Sequence, residues 1–144
     1  MISARRLGLL AMLVAPPAAA QVQSECGGWQ TDARNVDWRD PTRTFAEGAI
    51  RLVALETGEP ACCGSHLMVT WPDPDEPFPS CAVISDGEGG TGFYSLDISA
   101  ADASYDAARG LSVRLPVTRF DGYGETSGEV RFTVNQATGR LVLD

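Results

Sequence analysis

Residues 111–117 read Leu-Ser-Val-Arg-Leu-Pro-Val, and residues 129–134 read Glu-Val-Arg-Phe-Thr-Val. In the first run Leu111, Val113, Leu115 and Val117 alternate with Ser112, Arg114 and Pro116. In the second, Val130, Phe132 and Val134 alternate with Glu129, Arg131 and Thr133. Successive side chains of an extended strand point to opposite faces, so each run turns one apolar face to a core and one polar face to water. The glycine-rich segment Asp121–Gly128 separates the two runs, and a third, Arg140–Leu143, follows with Leu141 and Leu143 on one face.

The same reading extends toward the N-terminus. Ala49–Leu55 is apolar apart from Arg51, and in His66–Trp71 the residues Leu67, Val69 and Trp71 share a face. Cys81–Ser85 and Phe93–Ile98 are two further short strands. Between them Asp86–Gly92 carries four glycines and is a loop. Pro72, Pro74, Pro77 and Pro79 punctuate residues 72–79; each removes a backbone donor, so this segment stays out of a sheet interior. Tyr105–Leu111 and Asn135–Leu141 repeat one spacing, an Asp or Asn followed four residues later by Gly, which is a hairpin signature. At most one helical turn is expected near Ser99. About seven short strands separated by turn residues predict an all-β fold, an antiparallel β-sandwich or small barrel. Gln21–Thr44 lacks alternation and reads as an irregular arm packed on this body, with Trp29 and Trp38 as its anchors and Cys26 fastening its start.

Residues 1–20 have a different character. Arg5 and Arg6 precede the apolar run Leu7–Val14, then Pro16, Pro17 and Ala18-Ala19-Ala20. That order predicts a secretory signal peptide cleaved after Ala20. The apolar run is too short to cross ~30 Å of hydrocarbon, so no membrane span is expected, and Gln21 at the cleavage point argues against a lipid anchor. The expected domains are therefore the leader 1–20, the arm 21–44 and the sandwich 45–144, in a periplasmic or secreted protein.

The whole chain has 144 residues, 11 basic and 19 acidic. Two arginines belong to the leader, so the remainder holds nine basic residues against 19 acids, a charge of −10. Such a surface repels phosphate backbones and excludes nucleic acid as a partner.

Export gives the four cysteines their chemistry. Cys26, Cys62, Cys63 and Cys81 in an oxidising compartment are read as disulfides, which stabilise a small domain by roughly 2–4 kcal/mol each. Neighbouring side chains diverge on a strand, so Cys62 and Cys63 are expected to take different partners, Cys26 and Cys81. Were His66–Trp71 and Cys81–Ser85 a simple hairpin, Cys81 would lie roughly 25 Å from Cys63 at ~3.3 Å per residue. The favoured reading is accordingly that the proline segment runs back along the body and crosses between sheets. A hairpin instead implies a vicinal Cys62–Cys63 bond.

Candidate chemistry is sparse. His66 is the one histidine; with Cys62, Cys63 and Met68 nearby it resembles part of a soft-metal site, but such sites need a second imidazole and reduced thiols. A hydrolase on Ser65 and His66 lacks the Gly-x-Ser-x-Gly elbow, and the two side chains point apart. Asp73, Asp75 and Glu76 place three carboxylates in the proline loop, the hard oxygens that calcium prefers or the acids a glycosidase uses. Against both stands the ordinary reading of a solvated acidic loop. Trp71 and Phe78 flank that loop and offer an aromatic platform for a ligand or partner. Arg114 and Arg131 point outward side by side as an anion patch, unless Glu129 pairs with them. No cofactor is required. The expected function is a non-enzymatic binding or interaction module using the proline loop, with an unknown protein or glycan partner. The alternatives are an extracellular glycan-acting enzyme using Asp73, Asp75 or Glu76, and a calcium-stabilised structural module.

Overall fold

A computed structural model describes residues 21–39 and 42–144; the leader expected at residues 1–20 lies outside them. Ten strands make two antiparallel five-stranded sheets, with no α-helix among the described residues. The first sheet runs β1 (Val22–Glu25), β5 (Ser80–Ser85), β4 (Ser65–Trp71), β3 (Ile50–Glu56), β2 (Thr42–Phe45). The second runs β10 (Arg140–Leu143), β9 (Glu125–Asn135), β8 (Gly110–Phe120); β6 (Ser95–Leu96) and β7 (Asp102–Asp106) share the far edge of β8. The fold is the expected antiparallel sandwich.

The alternating runs behave as their pattern dictates. Val113 and Leu115 of β8 and Val130, Phe132 and Val134 of β9 are buried, and they meet Ile50, Leu52, Leu67, Val69 and Ile84 from the opposite sheet in one core. Burying each of these larger side chains stabilises the fold by roughly 1.5–3 kcal/mol. The β8–β9 register pairs Leu111 with Val134 and Leu115 with Val130, so both apolar faces turn inward together.

Side-chain oxygens build three hairpin turns in one way. Asp106 accepts the amides of Ala108 and Arg109, Asn135 those of Ala137 and Thr138, and Asp121 those of Tyr123 and Gly124. The first two are the repeated spacing seen in the sequence. Gly110 closes the first at φ +109°, and a Cβ there would lie 2.2 Å from the Val134 carbonyl oxygen, so only glycine fits.

Several expectations change. The arm is not irregular throughout, because its two ends are edge strands β1 and β2, paired to Ala82–Ser85 and to Ile50–Val53. Counting β7, three strands beyond the expected seven or so are short, polar edges; they pair through backbone and show little apolar alternation. Phe93–Ile98 is not one strand. Phe93 bridges to Ser65 of the first sheet, Ser95–Leu96 pairs with β8 of the second, and Ile98–Ala100 is a 3₁₀ turn, the single turn expected near Ser99. The segment breaks because it passes between layers.

The crossing connection is also corrected. β4 and β5 form a hairpin, with Thr70 opposite Cys81 and Trp71 opposite Ser80, and Pro72–Pro79 is its loop. Cys81 is therefore remote from Cys62 and Cys63. It bonds Cys26 at the end of β1, across a Cα separation of 5.7 Å, and Cys62 bonds Cys63. Cys26 thus does fasten the start of the arm. The passage between sheets is made instead by Asp86–Tyr94.

Candidate functional site

The proline loop leaves the sheet at Trp71 and returns at Ser80. Trp71 is buried, and its indole Nε1 donates to the Gly139 carbonyl at 2.9 Å. Asp73 organises the loop from within: Oδ1 accepts the Asp75 amide at 2.9 Å and Oδ2 accepts the Ser80 hydroxyl at 2.7 Å. These donors hold the Asp73 carboxyl below its ordinary pKa. Gly139 in the β9–β10 turn seats against the loop so closely that a Cβ would lie 2.8 Å from Pro74 Cδ. The Cys26–Cys81 disulfide lies just past the loop's far end. Proline stiffness, a carboxylate tether, an indole clamp and a disulfide therefore fix this loop from several sides.

What the loop presents is Phe78, 74% exposed. Beside it an open hollow of about 220 Å³ is lined by Arg51, Thr70, Pro72, Glu76, Phe78 and Pro79. The expected Trp71–Phe78 platform is not assembled, because Trp71 closes the end of the core while Phe78 faces water. Asp73 spends both oxygens inside the loop. Among the described residues no group of three His, Cys, Asp or Glu side chains converges to hold a metal ion, so Asp73, Asp75 and Glu76 form no calcium cage.

The arginines follow the period of two. Arg114 and Arg131 sit opposite each other on the outer face of β8 and β9. Glu129 lies 3.7 Å from Arg114 and also contacts Arg131, and Asp102 lies 3.5 Å from Arg114. They line a hollow of about 240 Å³ with Arg109, Ser112 and Asp144. Interleaved carboxylates neutralise the strip, and exposed pairs of this kind contribute under about 1 kcal/mol.

His66 is fully buried on the outer face of the first sheet, opposite in parity to Leu67 and Val69. The arm supplies its cover. Trp29 stands edge-on to the imidazole at 6.3 Å between ring centroids, Val36 bridges to Leu55, and the Asp37 amide donates to the Ala54 carbonyl. Trp29 reaches the imidazole with one edge while 55% of it stays exposed, and Trp38 is 75% exposed, so neither is the packed anchor expected of the arm. His66 Nδ1 shares a 2.8 Å hydrogen bond with Ser85 Oγ, and Nε2 has no partner among the described residues. Burial pushes the imidazole pKa down, against the charges of Glu56 and Glu59. Ser65 does not join His66; its hydroxyl donates to Glu56 Oε2 at 3.0 Å.

Sequence reading missed Ser85 as the partner of His66. Its signal is register: one step beyond the Leu67–Ile84 pair, the two residues face each other. It also missed the Arg119–Asp86 ion pair, which joins β8 to the end of β5, with the Arg119 guanidinium 5.5 Å from the Phe93 ring centroid.

Cys62 and Cys63, joined through a cis peptide bond, sit partly exposed in the loop between β3 and β4. Next to them the chain stitches the two sheets. The Gly92 amide donates to the Cys63 carbonyl at 2.9 Å, and Phe93 and Ser65 exchange two backbone bonds at 2.7 and 3.1 Å. Comparison with known proteins finds no match to a family model, to a curated protein or to a solved structure.

Proposed function

We propose that this chain is an exported, non-enzymatic binding module that engages a protein or glycan through the Pro72–Pro79 loop. The observation that carries this reading is Phe78, an exposed aromatic held out beside a hollow on a loop immobilised from within and at both ends. A large apolar side chain on a preformed loop loses little conformational entropy on binding, and this is how aromatic anchors reach high affinity. Arg51 and Glu76 at the hollow add charge of both signs for orientation. Export is supported by the order of residues in 1–20 and by the disulfides. Among the described residues no helix is long and apolar enough to cross a membrane.

The glycan-acting and calcium-bound alternatives draw less support. Both need carboxylates free to face a ligand, and the Asp73 carboxylate is consumed by Ser80 and the Asp75 amide.

The test is capture from extracytoplasmic extract by immobilised wild type, Phe78→Ala and Tyr123→Ala. Tyr123 is 99% exposed in the β8–β9 turn, away from the loop, and serves as the control. The expected result is a retained species lost with Phe78→Ala and kept with Tyr123→Ala. Neither substitution should change stability by more than about 0.5 kcal/mol, since both side chains face water. Equal recovery by all three forms refutes the loop assignment.

A further inference from the structure

The two disulfides constrain very different things. Cys26–Cys81 joins residues 55 apart, so it removes a large loop's freedom from the unfolded chain. Cys62–Cys63 joins residues one apart that the peptide bond already holds together. It withdraws almost no further freedom from the unfolded chain, so it contributes almost nothing to stability by that route. Linkage makes this reciprocal: the less a crosslink stabilises the fold, the less the fold protects it. Folding resists reduction of Cys26–Cys81 by the freedom of a whole loop and protects Cys62–Cys63 only through the local contacts that its closed form favours.

Place supplies the second half of the argument. The cysteines are partly exposed in the β3–β4 loop, where a thiolate can reach them. Cys63 also lies two residues before Ser65, whose bridge to Phe93 ties the sheets together. The Cys63 carbonyl accepts the Gly92 amide, and the next carbonyl, of Gly64, accepts the Thr57 amide at 2.9 Å. The Gly92 contact has no slack, since a Cβ on Gly92 would lie 2.5 Å from the Cys63 oxygen.

We infer that Cys62–Cys63 is a thiol–disulfide exchange site whose redox state is transmitted to the Cys63–Gly92 contact beside the Ser65–Phe93 bridge. Its reactant class is a dithiol, either a protein or a small molecule. One thiolate of the dithiol attacks one cysteine sulfur, breaking the Cys62–Cys63 bond and forming a mixed disulfide. The second thiol of the reagent displaces it. The reagent leaves oxidised to its own disulfide, its two electrons and two protons passing to the protein, where Cys62 and Cys63 stand as thiols. The open pair frees the Cys62–Cys63 backbone and loosens the Gly92 amide from its acceptor.

The test titrates the protein, residues 21–144, with dithiothreitol, counts open thiols in each pair by differential alkylation and mass spectrometry, and follows Gly92 amide exchange by NMR. Cys62–Cys63 should open at a reductant level that leaves Cys26–Cys81 closed. Gly92 exchange should then quicken by about tenfold, the equivalent of one weakened backbone hydrogen bond. The variant Cys62→Ser/Cys63→Ser, which cannot close, should show the fast exchange without reductant. Opening of Cys26–Cys81 first or at the same level overturns the inference. So does equal Gly92 exchange in the oxidised wild type and the double-serine variant.

Discussion

Replacing Cys26 and Cys81 by serine removes the one long-range covalent tie in the fold. The bond closes a loop spanning 55 positions in sequence. Loop-closure entropy for that length amounts to about 14 cal/mol/K, or ~4 kcal/mol at 25 °C. Both cysteines are partly exposed, so the serines add little packing loss. The unfolding entropy of a domain this size is roughly 0.26 kcal/mol/K near the midpoint, so the melting temperature should fall by about 15 °C. The assay is urea and thermal unfolding followed by circular dichroism, comparing wild type, Cys26→Ser/Cys81→Ser and Cys62→Ser/Cys63→Ser. The second double variant should stay within about 1 kcal/mol of wild type, because no chain segment is closed by that bond. The first should also free β1, whose four pairs to β5 end at Glu25–Ala82 beside the disulfide, and its amides should lose protection. Equal destabilisation by the two double variants would refute the assignment of Cys26–Cys81 as the structural staple.

Two further outcomes test the packing around the arm and the sheet stitch. His66 is buried with its pKa below the ordinary 6.5, so the unfolded chain binds a proton that the native chain does not. Stability should therefore decline as pH drops below about 6.5 and level off below the native-state value; urea unfolding from pH 7.5 to 5 should show that slope in the wild type and not in His66→Gln. Gly92→Ala should cost roughly 1–3 kcal/mol by forcing a Cβ against the Cys63 and Ser65 backbone, whereas Gly124→Ala, with nothing within 4 Å, should be near neutral in the same melts.

The parts of the fold legible in the sequence are those whose one face is apolar. Leu111–Val117 and Val130–Val134 announce their strands because each inward side chain is buried against the other sheet. Val22–Glu25, Thr42–Phe45 and Asp102–Asp106 do not, because an edge strand is held by backbone pairing that leaves almost no trace in side-chain type. The disulfide pairing hinged on the path of Pro72–Pro79. Prolines exclude a segment from a sheet but do not say whether it returns beside its own strand or crosses to another, and Cys81 follows that choice. The parity of His66, facing away from Leu67 and Val69, was readable. Its partner Ser85 was not, because that contact needs the β4–β5 register, and its cover by Trp29 needs the path of the arm. Phe78 was readable as a loop residue, while the withdrawal of Trp71 into the core depends on the distant carbonyl of Gly139.

The stitch through Ser65 and Phe93 changes what kind of object the sandwich is. In a two-layer sandwich the inner faces meet through interdigitated side chains. Here one continuous ribbon is bonded to both, first at Ser65 and then, two residues on, at Thr118, with the Arg119–Asp86 pair riveting the same corner. A shearing force on one layer is handed to the other through main-chain bonds, so that corner acts as a weld around which any partial opening must pivot.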